Sequence, residues 1–149
     1  MAARAGVPVV LMHSRGTPRT MQRLARYRAV ERDVVEELGE AMQRAQAAGI
    51  AREQLLIDPG LGFAKTAEQN LLLLRRLTAL RALDCPIVVG PSRKSFIGAV
   101  LDRPVDERLC GTAACVALAI AAGAHIVRVH DVRAMADVAR MADAVLRAA

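Results

Sequence analysis

Aromatic rings are scarce in this chain. Its 149 residues hold no tryptophan, one tyrosine (Tyr27) and two phenylalanines (Phe63 and Phe96). Proteins that grip single-stranded nucleic acid stack bases on such rings, so that platform is missing. The net charge of +6 and isoelectric point near 10.2 therefore need another explanation. The arginines are scattered, densest at Arg15, Arg19, Arg23, Arg26 and Arg28. Neither a helix-turn-helix nor an RNA-binding signature accompanies them. A solvated basic surface, or attraction for a small anionic substrate, is expected, with no nucleic-acid partner. No apolar run approaches the ~18 residues of a membrane span, so no membrane partner is expected either. The three cysteines, Cys85, Cys110 and Cys115, are an odd number. A Cys-x4-Cys pair without nearby ligands is a poor zinc site, and Cys110 and Cys115 read as small packing residues on an alanine-rich helix. With 54% hydrophobic residues and few Pro or Gly, the chain is not disordered. It carries no charged-then-apolar leader with a cleavage site, so a cytoplasmic protein is expected.

Lysine is scarcer still, with two among 21 basic residues. Both lie in short segments that also hold the two phenylalanines: Asp58 to Lys65, and Ser92 to Phe96. A chain so biased towards arginine keeps lysine where a compact ammonium cannot be exchanged for a planar guanidinium. Lys65 and Lys94 are thus the first candidates for chemistry.

What is abundant is aliphatic and patterned. Four strand-like runs, Val7 to His13, Leu55 to Asp58, Pro86 to Gly90 and His125 to His130, suit strands buried on both faces of a parallel sheet. Four helical patterns alternate with them. The first carries Val30, Val34, Val35, Leu38, Ala41, Met42 and Ala45 and stops at Gly49. The second starts at a Thr66/Gln69 capping box and carries Leu71, Leu74 and Leu77. The third is alanine-rich, from about Thr112 to Ala122. Asp131 caps the fourth, which bears Met135, Val138, Ala142, Val145 and Leu146. Strict βαβα alternation predicts an α/β fold of one domain with right-handed crossovers.

In such folds active sites are built at the C-terminal ends of the strands. His13, Asp58, Ser92 to Ser95 and His130 all fall there. His13 and His125, each alone at a strand end, read mainly as structural. Side chains alternate along a strand, which puts Arg128 and His130 on one face. Within hydrogen-bonding range of one another they suit a phosphate or diphosphate; an internal pair of Arg128 with Asp131 is the alternative. The Asp58 carboxylate can accept two parallel N–H bonds from an amidine-like edge, bind a metal or cap a helix. Lys94 offers a point charge to a ring carbonyl or nitrogen, and Ser95 a hydroxyl beside it. Phe63 is either a flat wall for an aromatic substrate or a loop anchor.

Four stretches carry a family resemblance: Leu11–Gln22, Ile57–Leu77 (with Asp-Pro-Gly-Leu-Gly-Phe), Val88–Leu101 (with Ser-Arg-Lys-Ser-Phe) and Glu107–Asp131 (with Arg-Val-His-Asp). Together they resemble the second half of the dihydropteroate synthases. The resemblance covers essentially the whole chain. It implies a (β/α)8 barrel that joins 6-hydroxymethyl-7,8-dihydropterin diphosphate to p-aminobenzoate in folate biosynthesis, with release of diphosphate and help from Mg²⁺. It implies that Asp58 and Lys94 hold the pterin and are the catalytic pair, and that Arg128 and His130 hold the leaving diphosphate. Ser95 and Phe63 would line the p-aminobenzoate pocket with Arg93 close by, and Lys65 is counted among the substrate-binding residues. Pro91 departs from the family pattern, which has a small or flexible residue before the Ser-Arg-Lys turn.

A (β/α)8 barrel needs about 250 residues, and this chain supplies four βα units. By the resemblance these are strands five to eight. Met1 falls where the fourth helix should end, and the expected Mg²⁺ ligand belongs to the half not represented. The expectation is a half-barrel, either part of a longer chain or dependent on a partner. It is a synthase half active only when completed, or a non-catalytic half-barrel that associates through its open edges. The partner would be a second copy in a homodimer or a complementary half-barrel. A pterin-dependent methyltransferase domain is the third possibility; the Ser-Arg-Lys-Ser-Phe segment and the lack of a cobalamin-type module argue against it.

Overall fold

The structure, a computed structural model, describes residues 2–148. Met1, on which the expected start inside a fourth helix rests, lies outside the described residues. The elements are α1 (Ala2–Ala5), β1 (Val9–Met12), α2 (Val30–Ala47), β2 (Leu55–Asp58), α3 (Ala67–Arg75), β3 (Val88–Val89), α4 (Ser95–Leu101), α5 (Leu109–Ala121), β4 (Ile126–Val127) and α6 (Val132–Arg147). Alternation of strand and helix holds, with corrections. The first, third and fourth strands are shorter than the apolar runs that announce them. The β3-to-β4 crossover contains two helices; α4, which opens on Ser95 right after the Ser-Arg-Lys turn, is not foreseen by the apolar periodicity.

Local signals explain the boundaries. Gly49, in the left-handed region at φ +87°, follows the end of α2. The capping box before α3 is formed: Gln69 N–H donates to Thr66 Oγ1 at 3.2 Å, and Thr66 N–H donates to Gln69 Oε1 at 2.9 Å. Leu77, expected in that helix, instead opens a tighter 3-10 stretch, Leu77–Leu83. Asp131 precedes α6 but makes no side-chain cap bond, because its carboxylate is held by Arg93. Cys115 is buried as expected, whereas Cys110 is exposed.

β1 runs parallel to β2, with Val9 opposite Leu55 and Met12 opposite Asp58. β3 runs parallel to β4, with Val88 opposite Ile126. A parallel bridge between Ile57 and Ile87 joins the pairs, giving the spatial order β1-β2-β3-β4 with edges at β1 and β4. Leu55, Ile57, Ile87 and Val89 share a core with Val34, Leu38 and Met42 of α2 and with Leu73, Leu77 and Leu80. Each such aliphatic side chain taken from water stabilises the fold by about 1.5–3 kcal/mol. The outer strands are different. Val10 is 50% exposed, Met12 39% and Ile126 46%. Among the described residues no helix is long and apolar enough to cross a membrane.

Candidate active site

The loop after β2 is built around Asp58. Its Oδ1 accepts the Gly60 N–H at 2.7 Å, an Asx turn that aims the carboxylate past the strand end. Gly60 has φ +68°, and a Cβ there would stand 1.9 Å from the His13 carbonyl oxygen, so no larger residue fits. Gly62, at φ +81°, donates its N–H to Asn70 Oδ1 at 2.6 Å; a Cβ there would come within 2.9 Å of Lys94 Cδ. The loop therefore needs glycine twice, once against β1 and once against Lys94.

Lys65 lies beneath this loop. Buried, it donates to the carbonyls of Gly60 and Phe63, each at 3.1 Å, and to His13 Nδ1 at 2.9 Å. An ammonium has three N–H groups, so all are used within the chain. Burial pulls its pKa down to about 7, against the pull of the Asp58 and Glu37 carboxylates. His13, also buried, completes the chain of contacts: its Nε2 meets Glu37 Oε2 at 3.0 Å, and Arg15 pairs with the same carboxylate. Burial and the Lys65 charge lower the His13 pKa to about 4. A neutral ring that accepts at Nδ1 and donates at Nε2 fits both bonds. Tyr27 adds a hydroxyl donated to the Ala64 carbonyl at 2.9 Å. Lys65, expected among the substrate-binding residues, is tied to the loop's own carbonyls and to His13, contacts that use its three N–H groups. His13 joins Lys65 to Glu37.

Lys94 faces the other side of the loop. Its Nζ lies 4.2 Å from the centre of the Phe63 ring, a cation–π contact that needs the free space over Gly62. Burial lowers its pKa, and the Arg128 guanidinium acts in the same direction while Asp58 opposes. Burial likewise raises the pKa of Asp58; the Gly60 N–H, Arg128, Lys94 and Lys65 hold that rise in check. Asp58 and Lys94 thus each sense the other's charge and that of Arg128. Pro91 is accommodated, its carbonyl accepting the Lys94 N–H at 3.2 Å to close the turn. Ser95 is exposed in the first turn of α4.

The last strand delivers Arg128 and His130 beside that turn. Arg128 N–H donates to the Val89 carbonyl at 2.9 Å, and its side chain lies over Gly90, where a Cβ would be 3.2 Å from Nη2. Its guanidinium makes no hydrogen bond among the described residues. The alternative pair with Asp131 is not formed, since Asp131 takes Arg93 in a two-point bond at 3.1 and 2.6 Å. Arg93 sits at φ +57° and is committed to that partner. Arg128 and His130 are not bonded to each other, contrary to expectation; His130 Nδ1 instead meets Ser92 Oγ at 2.8 Å. Sequence reasoning gave no role of their own to Ser92, Asn70, Tyr27 or Glu37. Asn70, a buried amide next to four leucines in α3, is the best available signal.

Among the described residues no three His, Cys, Asp or Glu side chains converge as a metal would need. The Asp58 carboxylate shares its surroundings with cations. These residues alone do not fit the Mg²⁺ that the resemblance implies.

The arrangement is one carboxylate, one ammonium set against an aromatic ring, and one guanidinium without a hydrogen-bond partner among the described residues, at the C-terminal edge of a parallel sheet. It can bind a flat heterocycle by its hydrogen-bonding edge and an anion beside it. The family profile described as pterin binding enzyme matches residues 1–130. The chain is 50% identical over 148 residues to the dihydropteroate synthase of Synechocystis sp., covering 99% of this chain and 51% of that protein. With the dihydropteroate synthase of Escherichia coli it shares 45% over 147 residues, covering 99% and 52%. Its fold superposes on the Yersinia pestis dihydropteroate synthase in complex with a sulfonamide drug with a TM-score of 0.95, at 39% identity, covering 99% of this chain and 54% of that one. For the Thermus thermophilus dihydropteroate synthase in complex with 4-aminobenzoate the TM-score is 0.91, at 40% identity, covering 97% and 59%. The chain thus spans about half the length of the relatives it matches.

Proposed function

The chain belongs to the pterin binding enzyme family, and from that membership we propose that it is the C-terminal half of a cytoplasmic dihydropteroate synthase. It supplies strands five to eight of a (β/α)8 barrel as one domain and is catalytic only when the other half completes it. The observation that carries this reading is that Lys94 lies over Gly62 against the Phe63 ring and Arg128 lies over Gly90, with the charges of Asp58 and Arg128 both felt at Lys94. Asp58 accepts from the amidine edge of the pterin, and Lys94 donates to a ring acceptor. Arg128 and His130 hold the diphosphate. Phe63 and Ser95 wall the p-aminobenzoate site, with Arg93 anchoring the turn between them through Asp131.

In the reaction the bond from the pterin methylene carbon to the diphosphate oxygen breaks, and its electron pair leaves with diphosphate. The aniline nitrogen of p-aminobenzoate attacks the resulting cation and loses its proton to solvent. Arg128 and His130 favour departure by stabilising charge on the leaving group, the kind of stabilisation on which such a step depends. Asp58 and Lys94 fix the ring against rotation, so the methylene stays facing the nucleophile.

The partner follows from the sheet edges. Val10, Met12 and Ile126 stay in water, and β1 and β4 each present unpaired backbone groups. Such edges invite further strands. A complementary half-barrel covers both at once, whereas a second copy of this chain gives the competing non-catalytic association.

The deciding experiment mixes the purified chain with a separate segment carrying the first four βα units of a related synthase. With pterin diphosphate, p-aminobenzoate and Mg²⁺, turnover should appear only in the mixture. Turnover by the chain alone, as a monomer, would overturn the need for completion; no turnover from a stable, stoichiometric mixture would favour the non-catalytic reading.

A further inference from the structure

Ser92 is buried at 5% exposure in the turn after β3, and its hydroxyl faces one residue twice. The His130 backbone N–H donates to Ser92 Oγ at 3.1 Å, and the same Oγ lies 2.8 Å from His130 Nδ1. An oxygen that accepts the backbone proton still has its own proton to place, and a buried hydroxyl needs an acceptor. Nδ1 is the acceptor recorded for it among the described residues. The imidazole then accepts at Nδ1 and carries its proton on Nε2, which has no partner among the described residues. A histidine is usually committed to one tautomer by the hydrogen bond that its other nitrogen makes.

We propose that Ser92 is a positioning residue that locks His130 as the Nε2–H tautomer and so gives its ring a fixed donor for an anionic oxygen of the ligand. The lock stands on the geometry of Ser92 and His130 alone; its use on a diphosphate rests on the function proposed above. Arg93 and Asp131, joined to each other on either side, hold the two loops at the separation the short bond needs. Without the hydroxyl, His130 keeps its place in the chain but its ring is free to rotate and to exchange tautomers.

Ring nitrogen shifts of the ¹⁵N-histidine-labelled chain, recorded at about pH 8 where an ordinary imidazole is neutral, read the lock directly. His130 should show a protonated Nε2 and an unprotonated Nδ1. Ser92→Ala should move both shifts towards averaged values, and Ser92→Thr, which keeps the hydroxyl, should restore the separation. A protonated Nδ1 in the unaltered chain would overturn the lock, whether or not the variants fold. Titration with inorganic pyrophosphate reads its use. Ser92→Ala should weaken binding by about tenfold, the scale of one hydrogen bond, and Ser92→Thr should not. A lost lock with unchanged pyrophosphate affinity would overturn the positioning role. An intact lock in a chain that does not bind pyrophosphate would sink the proposed function of His130 and leave the tautomer assignment standing.

Discussion

Lys65 and Lys94 enter as twins: each is a rare lysine beside a phenylalanine, in a turn after a buried strand. The structure separates them. Lys65 spends all three N–H groups on Gly60, Phe63 and His13, under the loop and away from solvent. Lys94 rests on the outer face of the same loop, against Phe63, and its Nζ makes no hydrogen bond among the described residues. Both have pKa values lowered by burial, so the shift does not tell them apart. Satisfaction does. An ammonium whose donors are all used holds a structure; one held beside a ring with its donors unused is open to a ligand, which is the role proposed for Lys94.

The sharpest way to break this contrast is substitution at Lys94. In the barrel completed by a first-half segment, Lys94→Ala should lower turnover by about 10²–10³-fold, the scale of losing one preorganised donor. The urea midpoint should hardly move. Lys94→Arg should not restore turnover, because the guanidinium is planar and larger where Gly62 leaves room for a slender stem. Wild-type-like turnover in the arginine variant would put Lys94 on the structural side with Lys65.

Arg128 and His130 come next. Replacing either with Ala should weaken binding of the pterin diphosphate by roughly 10–100-fold through lost charge-assisted bonds. Binding of the diphosphate-free pterin should be nearly unchanged. Calorimetry with the two ligands decides it, and equal losses would remove the anion from this end of the site.

For Lys65 the effect should fall on stability. Lys65→Met keeps the stem but strips the Gly60 and Phe63 carbonyls of their donor. Unfolding in urea should show a loss of about 1–3 kcal/mol, the cost of leaving buried acceptors unpaired. Any effect on ligand binding should be secondary, through a looser Asp58 turn. A variant as stable as the parent would mean that water replaces the ammonium under the loop.

Much of this division was legible before the structure. Repeating aliphatic residues announced the four strands, and the Thr66/Gln69 box and Gly49 announced helix ends, because these signals act within one turn of chain. Asp58, Lys94 and Arg128 drew attention because strand-end polar residues stand out in an aliphatic chain; their roles remain the proposal made above. The misreadings share a cause. Asp131 as a cap and Arg128 bonded to His130 are each reasonable over a few residues. Each is overruled by a distant partner: Arg93 lies 38 positions from Asp131, and Ser92 lies 38 from His130. The contact of Lys65 with His13, 52 positions away, is likewise not written in the local pattern. Which donor meets which acceptor across such distances is settled by the stacking of the loops, and local pattern does not encode it.

The smallest expected effect is in the pH dependence of stability, and it tests the same contrast from below. Lys65 has a folded pKa of about 7 against the ordinary 10.5. Between those values the unfolded chain holds the proton that the folded one has shed. Stability from this group therefore rises as the pH climbs from about 7 towards 10.5. His13, at about 4 against 6.5, acts the same way lower down: stability falls as the pH drops from about 6.5 to 4, because the unfolded chain protonates first. The carboxylates of Glu31, Asp33 and Glu37 have lowered values and lose their contribution mainly below the histidine window. Burial raises the pKa of Asp58, and of Cys85 and Cys115, so these groups cost stability as the pH rises above their ordinary values and oppose the climb in the lower and upper windows respectively. Urea midpoints taken across the two windows should carry one rising component each from His13 and Lys65, read as the difference between parent and variant. Lys65→Met should flatten the upper one, and His13→Gln the lower. The two groups share a hydrogen bond, so each substitution should also move the other's step, and the effects will not add. Lys94→Met should leave most of the upper step in place, since Lys94 is less buried and its donors are not tied inside the chain. An upper step that vanishes with Lys94→Met and survives Lys65→Met would reverse the roles of the two lysines.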